Sequence, residues 1–231
     1  AVRSVFSLLF GAAIMIIGNG LMFILLPIRL GVEGVPAEIS GLVMSCYYVG
    51  FVAGSLWGRA LIGRVGHIRA FAAFAALVCA VTLLYALWIQ PYAWPFLRGL
   101  NGFCMAGLFA VIESWLNERS SNTTRGQILS LYMVTSYAAS SVGQFLVNLS
   151  DVHSLTLYCV AALLLSISLV PVVLTHVQGP DLRGVAPLKL AELYRISPLG
   201  VVGCAGAGVL SGSFYGMGVI YAQAVHLSVF Q

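Results

Sequence analysis

Seven stretches of this chain stay apolar on every face for about twenty residues or more: 4–28, 39–61, 70–90, 94–117, 127–149, 154–175 and 198–225. An α-helix rises 1.5 Å per residue, so roughly 20 apolar residues cross the hydrocarbon of a bilayer. A barrel strand would alternate apolar and polar residues over about ten positions, and these segments do not alternate. Only 8% of the 231 residues are charged and 60% are hydrophobic. An ordinary soluble domain carries about 25% charged residues. A domain of this length has too little interior to hide so much apolar surface from water. The expected fold class is therefore an all-α polytopic membrane protein, with the lipid bilayer as its solvent.

Orientation follows from Lys and Arg in the loops, because cytoplasmic loops are enriched in them. One side carries Arg3, Arg59, Arg64, Arg69, Arg119, Arg125, Arg183, Lys189 and Arg195. The other carries Arg29, opposed by Glu33, Glu38 and Asp151. The N-terminus is expected in the cytoplasm. Trp88, Tyr92 and Trp94 mark an outer aromatic belt, and Trp57 and Trp115 an inner one. The first apolar run, about 5–26, is too long for a signal-peptide core and lacks a small-x-small cleavage site. The chain begins with Ala1, so residues are expected upstream of it.

Several function classes find no support. The net charge of +4 forms no basic stripe interleaved with aromatics, so nucleic acid is not expected as a partner. The five cysteines lie inside apolar runs, with no CxxC and no His/Cys cluster, so neither a disulfide framework nor a metal is expected. No catalytic Ser/His/Asp set, HExxH or phosphate loop is present, so no enzyme and no cofactor is expected.

The longest polar stretch, 176–197, contains Gly179-Pro180, several charges and an amphipathic segment at 188–196. It reads as a cytoplasmic linker between two bundles. The expected organisation is a six-helix bundle over 1–175, the linker over 176–197, and the first helix of an incomplete second bundle over 198–231. Gly18-Asn19-Gly20 and Gly216-Met217-Gly218, 198 residues apart, echo one another as a six-helix repeat would. The chain is expected to continue past Gln231. Gly50, Gly54 and Gly58, and likewise Gly208, Gly212 and Gly216, form small-residue faces for close helix approach.

A charge inside the membrane is costly, roughly 2.5–3.5 kcal/mol on insertion scales, and normally faces a bundle interior or an aqueous cavity. Two residues qualify, Arg98 and Glu113, both on the fourth span. Arg98 either binds an anionic group, couples to a proton on a partner acid, or snorkels to outer headgroups. Glu113 is expected to pair with Arg59, Arg64 or Arg69. Asn19, Gln144 and Gln223 are uncharged polar residues at depth that either line a cavity or bond across helices. The tyrosines, Tyr215 among them, are more often packing than ligand contacts.

The residues Gly58 to Arg69 resemble the inner-loop signature of the major facilitator superfamily, with Arg64, Gly66 and Arg69 matching and Gly63 in place of the usual acid. Arg98-Gly99-Leu100-Asn101-Gly102 resembles that family's Arg-x-x-Gln-Gly motif, with Asn101 standing for Gln. The glycine-proline motif of its fifth helix is not present, only Gly143-Gln144 lying in that region, so the antiporter association of that motif does not carry over. Val111 to Ser114, Arg125-Gly126 and Tyr132-Met133 extend the resemblance to the YcaD-type branch of bacterial transporters. The resemblance implies a secondary transporter of the inner membrane, working by alternating access as a monomer on a small-molecule substrate, with a coupling proton left open. It implies a substrate cavity drawn from Arg98, Asn101, Asn19, Tyr215 and Gln223, and a cytoplasmic gate of Arg64, Gly66, Arg69 and Glu113. Competing readings are a membrane subunit or assembly factor that keeps the fold without transporting, and a lipid flippase.

Overall fold

The computed structural model describes residues 2–174 and 190–225. Among these, the chain forms seven long helices and one short one: α1 (Val2–Val32), α2 (Ala37–Val65), α3 (His67–Leu87), α4 (Trp94–Glu118), α5 (Arg125–Phe145), α6 (Leu155–Val173), α7 (Leu190–Ile196) and α8 (Pro198–Ala224). No strand occurs among the described residues. Of the expected linker, 176–189 lies outside the described residues, as does the chain beyond Val225; α7 falls on the expected amphipathic segment.

Six of the long helices are long and apolar enough to cross a membrane. The seventh, α5, is less apolar, and it ends at Phe145 in a 3-10 turn, Leu146–Leu149, rather than running to 149 as expected. The reason is a stripe at four-residue spacing, Tyr132, Ser136, Ser140 and Gln144, which one helical face must share. That face lines a cavity, so lipid never meets it.

The packing pairs are α2 with α4, α1 with α5 and α6, and α3 with α4 and α6. Exchanging α1 with α4, α2 with α5 and α3 with α6 leaves this set unchanged. The closest crossings obey the same exchange residue by residue. A β-carbon on Gly50 would collide with the Gly99 carbonyl oxygen, and one on Gly102 with the Tyr47 carbonyl. Correspondingly, a β-carbon on Gly143 would collide with the Ile17 carbonyl, and one on Gly20 would lie 2.8 Å from that of Ser140. Gly20 and Gly102 are 82 residues apart, as are Ile17 and Gly99; Tyr47 and Ser140 are 93 apart, as are Gly50 and Gly143. The six helices are thus two three-helix repeats, and an odd number of spans per repeat inverts their direction across the membrane. The repeat places Asn19-Gly20 and Asn101-Gly102 in equivalent positions.

Small residues serve both sides of α1. A β-carbon at Gly18 would touch Ala161 and Leu165 of α6, while Gly20 meets α5. Successive helical residues turn by 100°, so Asn19 projects between these two contacts. The glycine triplet therefore lets two neighbours close on α1 while one amide points inward.

Two expectations change. Trp115 is 1% exposed and stacks on His67, with centroids 5.8 Å apart; it is a core residue rather than an interfacial anchor. Trp94, expected in the outer belt, is likewise 1% exposed and donates its indole N–H to the Trp88 carbonyl, whereas Trp57 and Trp88 are exposed. The glycine face of α8 also differs from that of α2. Nothing lies near Gly208, and Gly212 and Gly216 look onto the Tyr48 ring at 3.7–3.9 Å instead of onto a backbone. α8 is largely exposed and touches the bundle along α1 and α2.

Candidate functional site

A cavity of about 550 Å³ opens between α1, α2, α4, α5 and α8. Asn19 and Phe23 come from α1, and Tyr47, Tyr48, Phe51, Ser55 and Arg59 from α2. α4 supplies Phe109, Ala110 and Glu113, α5 supplies its Tyr132–Gln144 stripe with Tyr137, and α8 supplies Tyr215. A second hollow of about 580 Å³ shares Arg59, Glu113, Tyr132 and Met133 with the first and continues to Asn117 and Leu129. Together they form a cleft that runs from the level of Asn19 to the ends of α2 and α4 where the loop arginines lie.

The wall is rich in aromatic side chains, with neutral polar and small apolar groups between the rings. Only two charged residues line it, Arg59 and Glu113, both toward the arginine-rich end. The Tyr132 hydroxyl donates to the Glu113 carboxylate at 3.4 Å, a long contact. Ser136 spends its hydroxyl on the Tyr132 carbonyl and Ser55 on the Phe51 carbonyl, one turn back in each case. A bound molecule would therefore meet Gln144 and the hydroxyls of Tyr48, Tyr137 and Tyr215 as polar partners, with Asn19 and Tyr47 already engaged with one another.

Arg98 is placed differently from the expectation that it lines the cavity. It is 0% exposed and stands behind the wall. Its guanidinium carbon lies 4.9 Å from the Phe23 ring centre and 4.7 Å from that of Tyr47. Both rings are cavity walls, so the charge is screened from the cavity by the thickness of one aromatic layer. Among the described residues it has no carboxylate partner and no well-formed hydrogen bond, and the Tyr85 hydroxyl lies beside it. Asn101, one turn along α4, is buried as well, with its carbonyl oxygen unpaired. Burial this complete excludes snorkelling to the headgroups.

A family model described as the Major Facilitator Superfamily matches residues 8–231. This chain belongs to the major facilitator superfamily. It is 27% identical over 221 residues to an uncharacterized MFS-type transporter of Yersinia pestis, covering 95% of this chain and 58% of that protein. It is 28% identical to YcaD, an uncharacterized MFS-type transporter of Escherichia fergusonii, over the same shares. For YcaD of Salmonella newport the identity is 27%, over 96% of this chain and 58% of the relative. The chain thus spans a little over half the length of the curated relatives it matches.

Within this facilitator chain, the structure brings Asn19, Glu113 and Tyr215 to one cavity and sets Arg98 and Asn101 directly behind it. Gln223 lies on α8, and its side chain is outside the described residues. Arg64 and Arg69 are exposed at the α2–α3 joint and away from Glu113; the expected pairing of Glu113 with a loop arginine is not formed. Among the described residues the ion pair that does form is Arg29 with Glu33, at 2.6 Å. The open cleft explains the difference: Arg59 and Glu113 share its lining without meeting. Gly66 makes the α2–α3 joint with φ 85° and ψ 161°, a conformation that L-residues rarely adopt.

Of the wall's tyrosines the sequence pointed to Tyr215 alone; the others read as packing residues. The signal that could have found the wall is the Tyr132–Ser136–Ser140–Gln144 spacing, a polar stripe on a helix otherwise at lipid depth.

Proposed function

We propose that this chain forms part of a secondary active transporter that moves a small molecule across the inner membrane by alternating access. The reading rests on one observation above all. A cavity of about 550 Å³, of drug-sized capacity, lies between spans at membrane depth and is lined by convergent polar groups among aromatics. An assembly subunit has no use for such a space, and the inverted repeats around it suit a rocking motion.

In this proposal 1–175 forms the N-terminal bundle, 176–197 a cytoplasmic linker, and 198–231 the start of a second bundle that completes the site. The N-terminus is cytoplasmic and the protein works as a monomer. Asn19, Tyr215 and Gln223 contact the substrate, with Arg98 and Asn101 behind them. Glu113 with Arg64, Gly66 and Arg69 closes the cytoplasmic side. A proton is a candidate coupling ion.

The test uses full-length protein carrying Ser136→Cys, a near-isosteric change on the cavity wall. A membrane-impermeant maleimide should label it rapidly in inside-out vesicles and slowly, through the minor opposite state, in right-side-out vesicles. Labelling from neither side, or from one side under every condition, would sink alternating access.

A further inference from the structure

Arg98 presents an unresolved charge. A guanidinium buried without a carboxylate, with a neutral phenol beside it in place of one, is strongly unfavourable, because its desolvation is poorly compensated. Guanidinium is built to receive a planar oxyanion through two parallel donors. The position has the other parts of a receptor for one. The Tyr85 hydroxyl lies beside it and can donate as a third group, since contact with a guanidinium uses only its oxygen. The Asn101 side chain is buried one turn along, and its amide NH2 is a further donor group in the cluster if the side chain turns toward an anion. The only layer between this cluster and the cavity is the pair of rings of Phe23 and Tyr47, which now cover the cation by cation–π contact. Such contacts are weaker than a charge-assisted hydrogen bond, so an arriving anion can displace them.

We propose that Arg98, Tyr85 and Asn101 form an anion subsite behind a Phe23/Tyr47 aromatic gate, and that the substrate is an aromatic monocarboxylate. The inference rests on the transporter reading for its cavity. Two features of the cavity choose this chemistry. The cavity wall is rich in aromatic side chains and neutral over most of its length, which suits a flat apolar body. Its lone acid, Glu113, sits at the far end beside Arg59, leaving the deep end with a single positive charge behind it. The Tyr47 side chain swings aside as the carboxylate enters, the ring stacks on the substrate body, and Arg98 takes both carboxylate oxygens. No bond is made or broken.

The experiment is thermal unfolding of the full-length protein in detergent with phenylacetate, phenylacetamide and phenethylamine as matched anionic, neutral and cationic probes. A ligand that binds only the folded state raises Tm with concentration. Phenylacetate should raise Tm, and the other two should not. Arg98→Gln should weaken the phenylacetate response by on the order of thirtyfold or more, and Arg98→Lys should retain part of it. Tyr47→Ala, which opens the gate and keeps the cation, should lower the phenylacetate concentration needed. That variant keeps the proposal testable if Arg98→Gln fails to fold. Equal stabilisation by phenylacetamide, no stabilisation by phenylacetate, or an unchanged response in Arg98→Gln or in Tyr47→Ala would each overturn the subsite. Two-sided labelling of Ser136→Cys without an anion response would leave transport standing and remove only this inference. An anion response with one-sided labelling would do the reverse.

Discussion

A β-carbon on Gly50 of α2 would collide with the carbonyl oxygen of Gly99 on α4. The same is true of Gly143 and Ile17 on the helices related by the internal two-fold. In lipid there is no hydrophobic drive between helices, so such backbone approach, with its dispersion contacts, is what holds a bundle together. Gly50→Ala should therefore separate α2 from α4 and lower stability by about 1–3 kcal/mol, the usual range for overpacking. Gly143→Ala should behave alike on α1 and α5. Gly63→Ala, where nothing lies within 4 Å of the added carbon, should be neutral. Thermal unfolding midpoints of the three variants check the contrast.

Gly66 holds the α2–α3 joint with φ 85°. It ends α2, where its N–H donates to the Ile62 carbonyl, and it starts α3, where its carbonyl accepts from Ala70. No side chain crowds it, so a substitution fails by backbone strain alone. Gly66→Ala should cost of order 1–3 kcal/mol, as other residues held in glycine-only regions do. Folded yield by size-exclusion should fall accordingly. Gly66→Asn should lose about as much, since ψ of 161° lies far from the left-handed helical well that asparagine tolerates.

How much of this was legible beforehand depends on what a contact needs. The spans follow from length and apolarity, which local sequence carries in full. The inverted repeat was missed, although Asn19-Gly20 and Asn101-Gly102 are its trace, because two dipeptides do not stand out until their carbonyl partners are known. Arg98 was identified as costly from its depth alone, but its seat behind Phe23 and Tyr47 depends on where α1 and α2 cross α4. Trp115 shows the same limit. An aromatic near a helix end reads as an interfacial anchor, and only the packing of α3 against α4 turns it toward His67.

At the other end of the bundle, Arg29 is 5% exposed and satisfied twice. It pairs with Glu33 one turn ahead and donates to the Val152 carbonyl across the turn between α5 and α6 at 3.0 Å. Arg29→Ala should leave that carbonyl and Glu33 without their partner. A lost charge-assisted hydrogen bond is worth about 1.5–3 kcal/mol. The effect should be local, so hydrogen exchange should quicken around 150–154 and at the end of α1, with little change near α4. Uniform quickening would mean that Arg29 supports the whole bundle instead.

Arg59 and Glu113 line the same cleft and do not touch. For the cleft to close toward the arginine-rich side, α2 and α4 must bring their ends past one another, or carry α5 inward with Tyr132. Either motion shortens the distance between these two opposite charges as water leaves. Their attraction then favours the closed form and not the open one, and a differential interaction is what shifts a two-state equilibrium. A pair of this kind, still partly wet, is worth up to about 1 kcal/mol, or roughly a fivefold change in population. Glu113→Gln should therefore bias the protein toward the open cleft. In right-side-out vesicles, where labelling passes through the minor state, the maleimide labelling of Ser136→Cys should fall by up to that factor, and in inside-out vesicles it should change little. The exchange Arg59→Glu with Glu113→Arg should restore the original rates, because the attraction is symmetric. Loss of labelling bias in Tyr132→Phe, with Glu113 intact, would instead assign the closing contact to the Tyr132 hydroxyl.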